Sequence, residues 1–173
     1  MKKSLLILVL LLVFFSCKKN ALKVVAVKDF KPITMVKNYN YQQLKPSLEK
    51  NNDTTYIVNF WATWCAPCVK ELPYFEKINS EYATKNVRVL LVSLDFPKYV
   101  DTKLIPFINK KKLQAEVVLL NDINEDVWIQ AIDESWSGAI PATLIYNKNN
   151  RKFYEQPFEY EALENELKSF LKL

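Results

Sequence analysis

Apolar residues recur along this chain of 173 residues with two periods, and the two alternate. Near-continuous apolar runs predict strands at 55–61, at Val87–Leu94, at Glu116–Leu120 and at Thr143–Tyr146, with a return strand over Arg151–Glu155 after the turn Asn147–Asn150. Runs this apolar suit strands buried on both faces, as in a parallel sheet covered by helices. Helical spacing links Val69, Leu72, Phe75, Ile78 and Tyr82, and predicts a helix over 66–82 with Pro73 inside it. Val100, Leu104, Phe107 and Ile108 predict another over 98–112, Val127 to Ile132 a short one over 125–132, and Tyr160, Leu163, Leu167, Phe170 and Leu171 a C-terminal one. Before residue 55 the pattern is weaker. Leu22–Val27 and Ile33–Val36 read as short strands and 40–50 as a helix, with Pro46 standing in its way. Strand, helix, strand in succession predicts one α/β domain, and no internal repeat appears.

The first residues are patterned differently. Met1-Lys2-Lys3-Ser4 is basic, Leu5–Phe15 is almost wholly apolar, and Ser16-Cys17 follows. This is the layout of a secretory signal peptide, and it is too short for the roughly 20 residues a membrane-spanning helix requires. The small residue before a cysteine resembles the bacterial lipobox, although Phe14 and Phe15 are bulky for their places. The expected organisation is a lipoprotein signal peptide over 1–16, a tether over 17–30 beginning at a lipidated Cys17, and the domain over 31–173.

Composition narrows the chemistry. Half of the residues are hydrophobic, with ten Phe, nine Tyr and four Trp, so a sizeable core is available. The formal charge is +5, two units of which lie on Lys2 and Lys3. The remaining lysines are spread, with one run at Lys110-Lys111-Lys112, which suits a solvated helix end better than a nucleic-acid footprint. Histidine is absent, which removes Ser-His-Asp and Cys-His catalysis. Gly138 is the only glycine, so Rossmann and P-loop phosphate cradles are excluded.

What remains is thiol chemistry. Cys65 and Cys68 stand where the strand at 55–61 turns into the helix at 66–82. Unpaired backbone N–H groups and the positive end of the helix dipole favour a thiolate there, and the thiolate is the attacking species. Cys68, one helical turn on, can reach Cys65 and close a disulfide. Pro67 fits the first turn, where its missing N–H costs nothing. A zinc site would require further ligands, and Cys17 is the only other cysteine.

The run Asn59-Phe60-Trp61-Ala62-Thr63-Trp64-Cys65-Ala66-Pro67-Cys68 resembles the active-site segment of the thioredoxin superfamily. With Glu71 three residues after Cys68, Asn59 where an acid is usual, and the lipoprotein-like leader, it is most similar to the TlpA/ResA-like envelope thiol–disulfide oxidoreductases. The resemblance covers about residues 50–173. It implies an α/β thioredoxin-like fold: a central mixed β-sheet flanked by helices, with an N-terminal extension and a central insertion near 98–120. It implies that Cys65 is the nucleophile and Cys68 the resolving thiol, with no cofactor beyond this pair and no metal. Ile140-Pro141, before the strand at 143–146, resembles the cis-proline loop that faces the sulfurs and leaves the Ile140 backbone free to pair with substrate.

Glu71 is the candidate proton carrier for Cys68, its alternative being a solvent-facing helix charge. Asn59 cannot relay a proton. Trp64, Ala66 and Pro67 are candidate substrate contacts. Trp61 reads as core, and Trp136 as either core or groove wall. The implied partners are disulfide-bearing proteins, apocytochrome c among them, a membrane thiol–disulfide electron donor, and a membrane held through the N-terminal lipid, with the chain itself a monomer. A disulfide oxidase or isomerase is the competing reading. A copper chaperone lacks its usual histidine, and a peroxidase lacks the Thr-x-x-Cys spacing, since Thr63 is two before Cys65.

Overall fold

The computed structural model describes residues 30–171. The leader, Cys17, the tether up to residue 29 and the strand expected over Leu22–Val27 lie outside the described residues. One six-stranded mixed sheet organises the rest. Its strands are β1 (Lys37–Tyr39), β2 (Thr55–Trp61), β3 (Val87–Ser93), β4 (Glu116–Leu120), β5 (Ala142–Tyr146) and β6 (Arg151–Tyr154). They lie in the order β1-β4-β3-β2-β5-β6. The first four in that order are parallel, while β5 runs antiparallel to β2 and β6 antiparallel to β5. The helices are α1 (Tyr41–Leu44), α2 (Ala66–Glu81), α3 (Ile105–Lys111), α4 (Glu125–Ile132) and α5 (Tyr160–Leu171).

All seven residues of β2 are buried, because the strand is central and covered on both faces. Successive side chains of a strand point to opposite faces. Ile57 and Trp61 therefore enter the core formed with Leu72, Phe75 and Ile78 of α2 and Leu163, Leu167 and Phe170 of α5. Tyr56, Val58 and Phe60 enter a second core with Tyr41 and Leu44 of α1, Trp128 and Ile132 of α4, and Trp136. Asn59 shares the face of Ile57 and Trp61. The alternation thus delivers one amide side chain to the face covered by α2.

Three expectations shift. The strand read over Ile33–Val36 is not formed. Ile33 instead bonds through its N–H and carbonyl to the side chain of Asn109, at 2.9 Å each, and the strand begins at Lys37. That strand is a sheet edge with Lys37 and Asn38 exposed, so it carries little apolar signal. The helix read over 40–50 stops early. Asn40 caps α1 through a reciprocal bond with Gln43, and the chain tightens into a 3₁₀ turn over Lys45–Ser47, where Pro46 sits in the first turn. The helix read over 98–112 is regular only from Ile105. A wide π-type turn over Val100–Leu104 precedes it, closed by the Ile105 N–H on the Val100 carbonyl. Pro106, which has no N–H to donate, is the second residue of the regular part.

Candidate functional site

Cys65 is the N-cap of α2. Its sulfur accepts the Cys68 N–H at 3.3 Å, and the first turn of the helix contains no acidic residue. A negative sulfur at this point meets both a fixed donor and the helix dipole. Cys65 and Cys68 form a disulfide across a Cα–Cα distance of 5.3 Å. The two sulfurs are not equivalent. Cys65 is 6% exposed and Cys68 fully buried, so an incoming group meets Cys65 first. Ala66 and Pro67, between them, are exposed, and Trp64 stands out from the surface beside them.

The turn that presents Cys65 is held from β3. Asp95, buried just beyond the end of that strand, accepts the Thr63 N–H at 3.0 Å, the Thr63 hydroxyl at 2.5 Å and the Ser93 hydroxyl at 2.9 Å. Sequence reasoning missed Asp95. Its signal was an acid following a buried parallel strand, where α/β proteins place their functional loops.

Across the disulfide lies the loop before β5. The Ile140–Pro141 bond is cis, as the resemblance implies, and the Ile140 carbonyl oxygen is 3.7 Å from the Cys65 sulfur. Gly138 adopts φ 93°, a conformation side chains resist, and an added Cβ there would lie 3.0 Å from Ile129. Trp136 is core rather than groove wall. It packs against Phe60, Trp128 and Phe153, and its indole N–H donates to the Ala139 carbonyl at 2.9 Å. Trp61 is likewise core, against Phe107.

A second residue that sequence reasoning missed ties this loop down. The Glu155 carboxylate, following β6, accepts the Ser137 N–H at 3.0 Å, the Ala139 N–H at 3.1 Å and the Ser137 hydroxyl. These bonds hold the carboxyl below the usual range. Nothing local marks an exposed acid after an edge strand as special, and only the fold brings it to residues 137–139. Glu155→Gln weakens a charged clamp by about 1 kcal/mol, so the expected result is a roughly fivefold rise in KM for a protein disulfide with kcat little changed. Steady-state kinetics at pH 7 checks it; an unchanged KM sinks the clamp.

Beneath Cys68, Glu71 is 1% exposed, contrary to a solvent-facing helix charge. It projects from α2 onto the same face as Cys68, Leu72 and Phe75. One carboxylate oxygen accepts the Asn59 amide at 2.9 Å and the other the Phe158 N–H at 2.7 Å. Burial pushes the carboxyl up to about 7, against the downward pull of these two donors. The Asn59 amide also reaches the Thr143 hydroxyl at 3.2 Å and the Ala142 carbonyl at 3.4 Å, tying Glu71 to the residues just after Pro141. The fold therefore sets the Ile140–Pro141 loop against Cys65, places Glu71 on the buried face of α2 with Cys68, and links Glu71 through Asn59 to the residues just after Pro141, with Trp64, Ala66 and Pro67 exposed at the rim.

The chain as a whole is similar to known proteins. Over 105 residues the chain is 36% identical to the thiol-disulfide oxidoreductase ResA of Oceanobacillus iheyensis, covering 58% of this chain and 55% of that one. It is 49% identical over 85 residues to the thioredoxin-like protein YneN of Bacillus subtilis, covering 42% and 48%. The chain thus spans about half the length of these curated relatives. The crystal structure of StoA from Bacillus subtilis superposes with a TM-score of 0.51 at 27% identity, covering 66% of this chain and 83% of that one. A thioredoxin family thiol:disulfide interchange protein from Chlorobium tepidum has the same fold, with a TM-score of 0.59 at 19% identity over 73% and 84% of the two chains. The AhpC/TSA family model matches residues 23–151, a stretch that includes β1 to β5, the cysteine turn and the cis-proline loop, and the chain belongs to the AhpC/TSA family.

Proposed function

We propose that this protein is a thiol–disulfide oxidoreductase of the bacterial cell envelope that reduces disulfides in other proteins. The observation that carries the reading is the placement of the Cys65–Cys68 disulfide at the start of α2, opposite the cis-proline loop. In the reduced protein the Cys65 thiolate attacks a client disulfide. One client sulfur leaves as a thiolate, and the other stays bonded to Cys65. Cys68, losing its proton to Glu71, attacks the Cys65 sulfur, releases the client dithiol and regenerates the intramolecular disulfide. Two electrons pass from the pair to the client, so no further cofactor or metal is required. A membrane thiol–disulfide donor then returns two electrons to Cys65–Cys68. Trp64, Ala66 and Pro67 form the rim that a client touches, and Ile140 offers its backbone.

Cleavage after residue 16, lipid on Cys17, a tether to residue 30 and a monomeric domain over 31–173 would hold this chemistry at a periplasm-facing membrane surface. Among the described residues no helix is long and apolar enough to cross a membrane. An apocytochrome c with a Cys-x-x-Cys-His segment is one client that such a reductant would serve.

The test is the equilibrium reduction potential of the pair in the full chain, in glutathione or dithiothreitol buffers. A value near thioredoxin's, about −270 mV, is expected. A value near −120 mV, at the oxidising end, would overturn the reductase direction in favour of disulfide donation.

A further inference from the structure

Large apolar side chains at the surface of a soluble domain are ordinarily scattered. Here, among the described residues, five of six are gathered, Met35 alone lying elsewhere. Among the described residues Trp64, Phe96 and Ile123 are each more than half exposed, and all three line one cavity of about 370 Å³ that begins at Ile140 beside the disulfide. Tyr99 and Val127 extend the patch. Tyr99 meets Phe96 edge-on at 6.3 Å, and Val127 shares a shallow hollow with Ile123. Trp64, Phe96 and Ile123 come from the loops after β2, β3 and β4, and Val127 from the first turn of α4. These parallel strands end at the same edge of the sheet, which is where α/β folds bind their ligands.

The charges of this groove differ from those of the chain. The chain has 24 Lys and Arg against 19 Asp and Glu. The groove holds three carboxylates, Asp95, Asp122 and Glu125, and among the described residues no lysine or arginine lines it; the one cation on the extended patch, Lys98, stands over the Tyr99 ring at 4.9 Å, at the far end from Glu125 in the chain. Two of the three are engaged within the protein. Asp95 holds the Thr63 turn, and Asp122 accepts the N–H groups of Tyr41 and Asn124 at 3.0 Å each. Glu125, on the exposed first turn of α4, is the one positioned to meet a client. An acid in that turn also suits the helix dipole. The dipole does not account for the absence of cations from the rest of the groove.

Resting on the oxidoreductase reading, we infer that this groove selects client segments carrying a bulky apolar residue and a lysine or arginine on the same side of the reactive cysteine. The apolar residue covers Trp64, Phe96 and Ile123 from water, and the cation faces Glu125. Such a segment is extended, continuous with the exchange site, and a few residues long. An acidic segment meets three like charges in a partly desolvated groove and is disfavoured.

The test uses the full chain, reduced, and four peptides that each carry one cysteine as a mixed disulfide with glutathione. They combine a leucine or a serine with an arginine or a glutamate, all on the same side of the cysteine. The expected order of kcat/KM places leucine–arginine first, about tenfold above serine–arginine and about fivefold above leucine–glutamate. Glu125→Lys should invert the arginine-over-glutamate preference, and Phe96→Ser should reduce the leucine-over-serine ratio. Rates within twofold for all four peptides, or a charge preference untouched by Glu125→Lys, would overturn the groove. Hydroxyethyl disulfide, which cannot reach the groove, separates the two readings. Its reduction by wild-type protein alongside indifferent peptide rates removes only the groove, whereas failure to reduce it removes the oxidoreductase reading and the groove together.

Discussion

Replacing Cys65 by serine is expected to reduce disulfide-exchange activity by about a thousandfold or more, to the level of the uncatalysed reaction. A hydroxyl at the helix start stays protonated at neutral pH and cannot form the mixed disulfide through which exchange proceeds. Cys68→Ser is expected to behave differently. Its Cys65 still attacks, since it is the partly exposed sulfur and retains the backbone N–H of residue 68 as a donor. The resolving thiol is missing, so a covalent client adduct accumulates. Intact-mass measurement of each variant after exposure to a peptide disulfide checks both. With the adduct located by peptide mapping, one at Cys68 of Cys65→Ser, or none at Cys65 of Cys68→Ser, would reverse the assignment of roles.

Glu71→Gln is the second large expected effect, and it has a kinetic and a thermodynamic readout. If Glu71 takes the proton of Cys68, the resolving step should slow by about a hundredfold, and an inflection near pH 7 in the wild-type rate should vanish. Stopped-flow release of the client thiol between pH 5 and 8.5 checks this, and an inflection that survives in the variant would sink the role.

Glu71 also makes stability depend on pH. Glu71 sits at about 7 when folded, against 4.5 as its ordinary value. Between those two pH values the folded protein retains a proton that the unfolded chain has released. Folding therefore takes up a proton there. The contribution of Glu71 is greatest below about pH 4.5 and is lost as pH rises through 7. Full desolvation would make the loss about 3 kcal/mol, and screening brings the expected change nearer 2. Denaturant titrations of the oxidised protein at pH 4.5 and 8 measure it. Glu71→Gln should remove that pH dependence at some cost in stability. One end of the new amide must face a donor, because Asn59 and Phe158 both donate to Glu71 in the wild type. The Asn59 amide can meet both forms of Glu71. Its nitrogen donates to the carboxylate, and its oxygen, which has no partner among the described residues, can accept the O–H of the acid after a half-turn of the amide.

Much of the fold is legible in the residues alone. Continuous apolar runs mark β2, β3 and β4, and helical spacing marks α2, α4 and α5, because these elements bury stripes or whole faces and the solvent boundary is written into the residue types. The cysteine turn is legible for a different reason. A sulfur pair one helical turn apart needs only local geometry to meet. The β1 edge is not legible, because an edge strand buries little. The segment over 98–112 reads as one continuous helix because apolar spacing is blind to the N–H that Pro106 lacks.

Residue pattern alone specifies the strand–helix frame, its double-sided burial and the chemistry carried at Cys65 and Cys68. The surroundings of that chemistry come from packing between elements distant in the chain. Glu71 is buried because α5 and the segment at Phe158 close over it, and it bonds to Asn59 because β2 turns that one side chain to the face of α2. Asp95, Glu155 and the groove residues Phe96, Ile123 and Glu125 stand 30 to 90 residues from Cys65 in the chain. Local pattern reports which residues prefer to leave water. It does not report which distant loops the sheet order sets side by side, and that order supplies the donors, the charges and the apolar walls of this site.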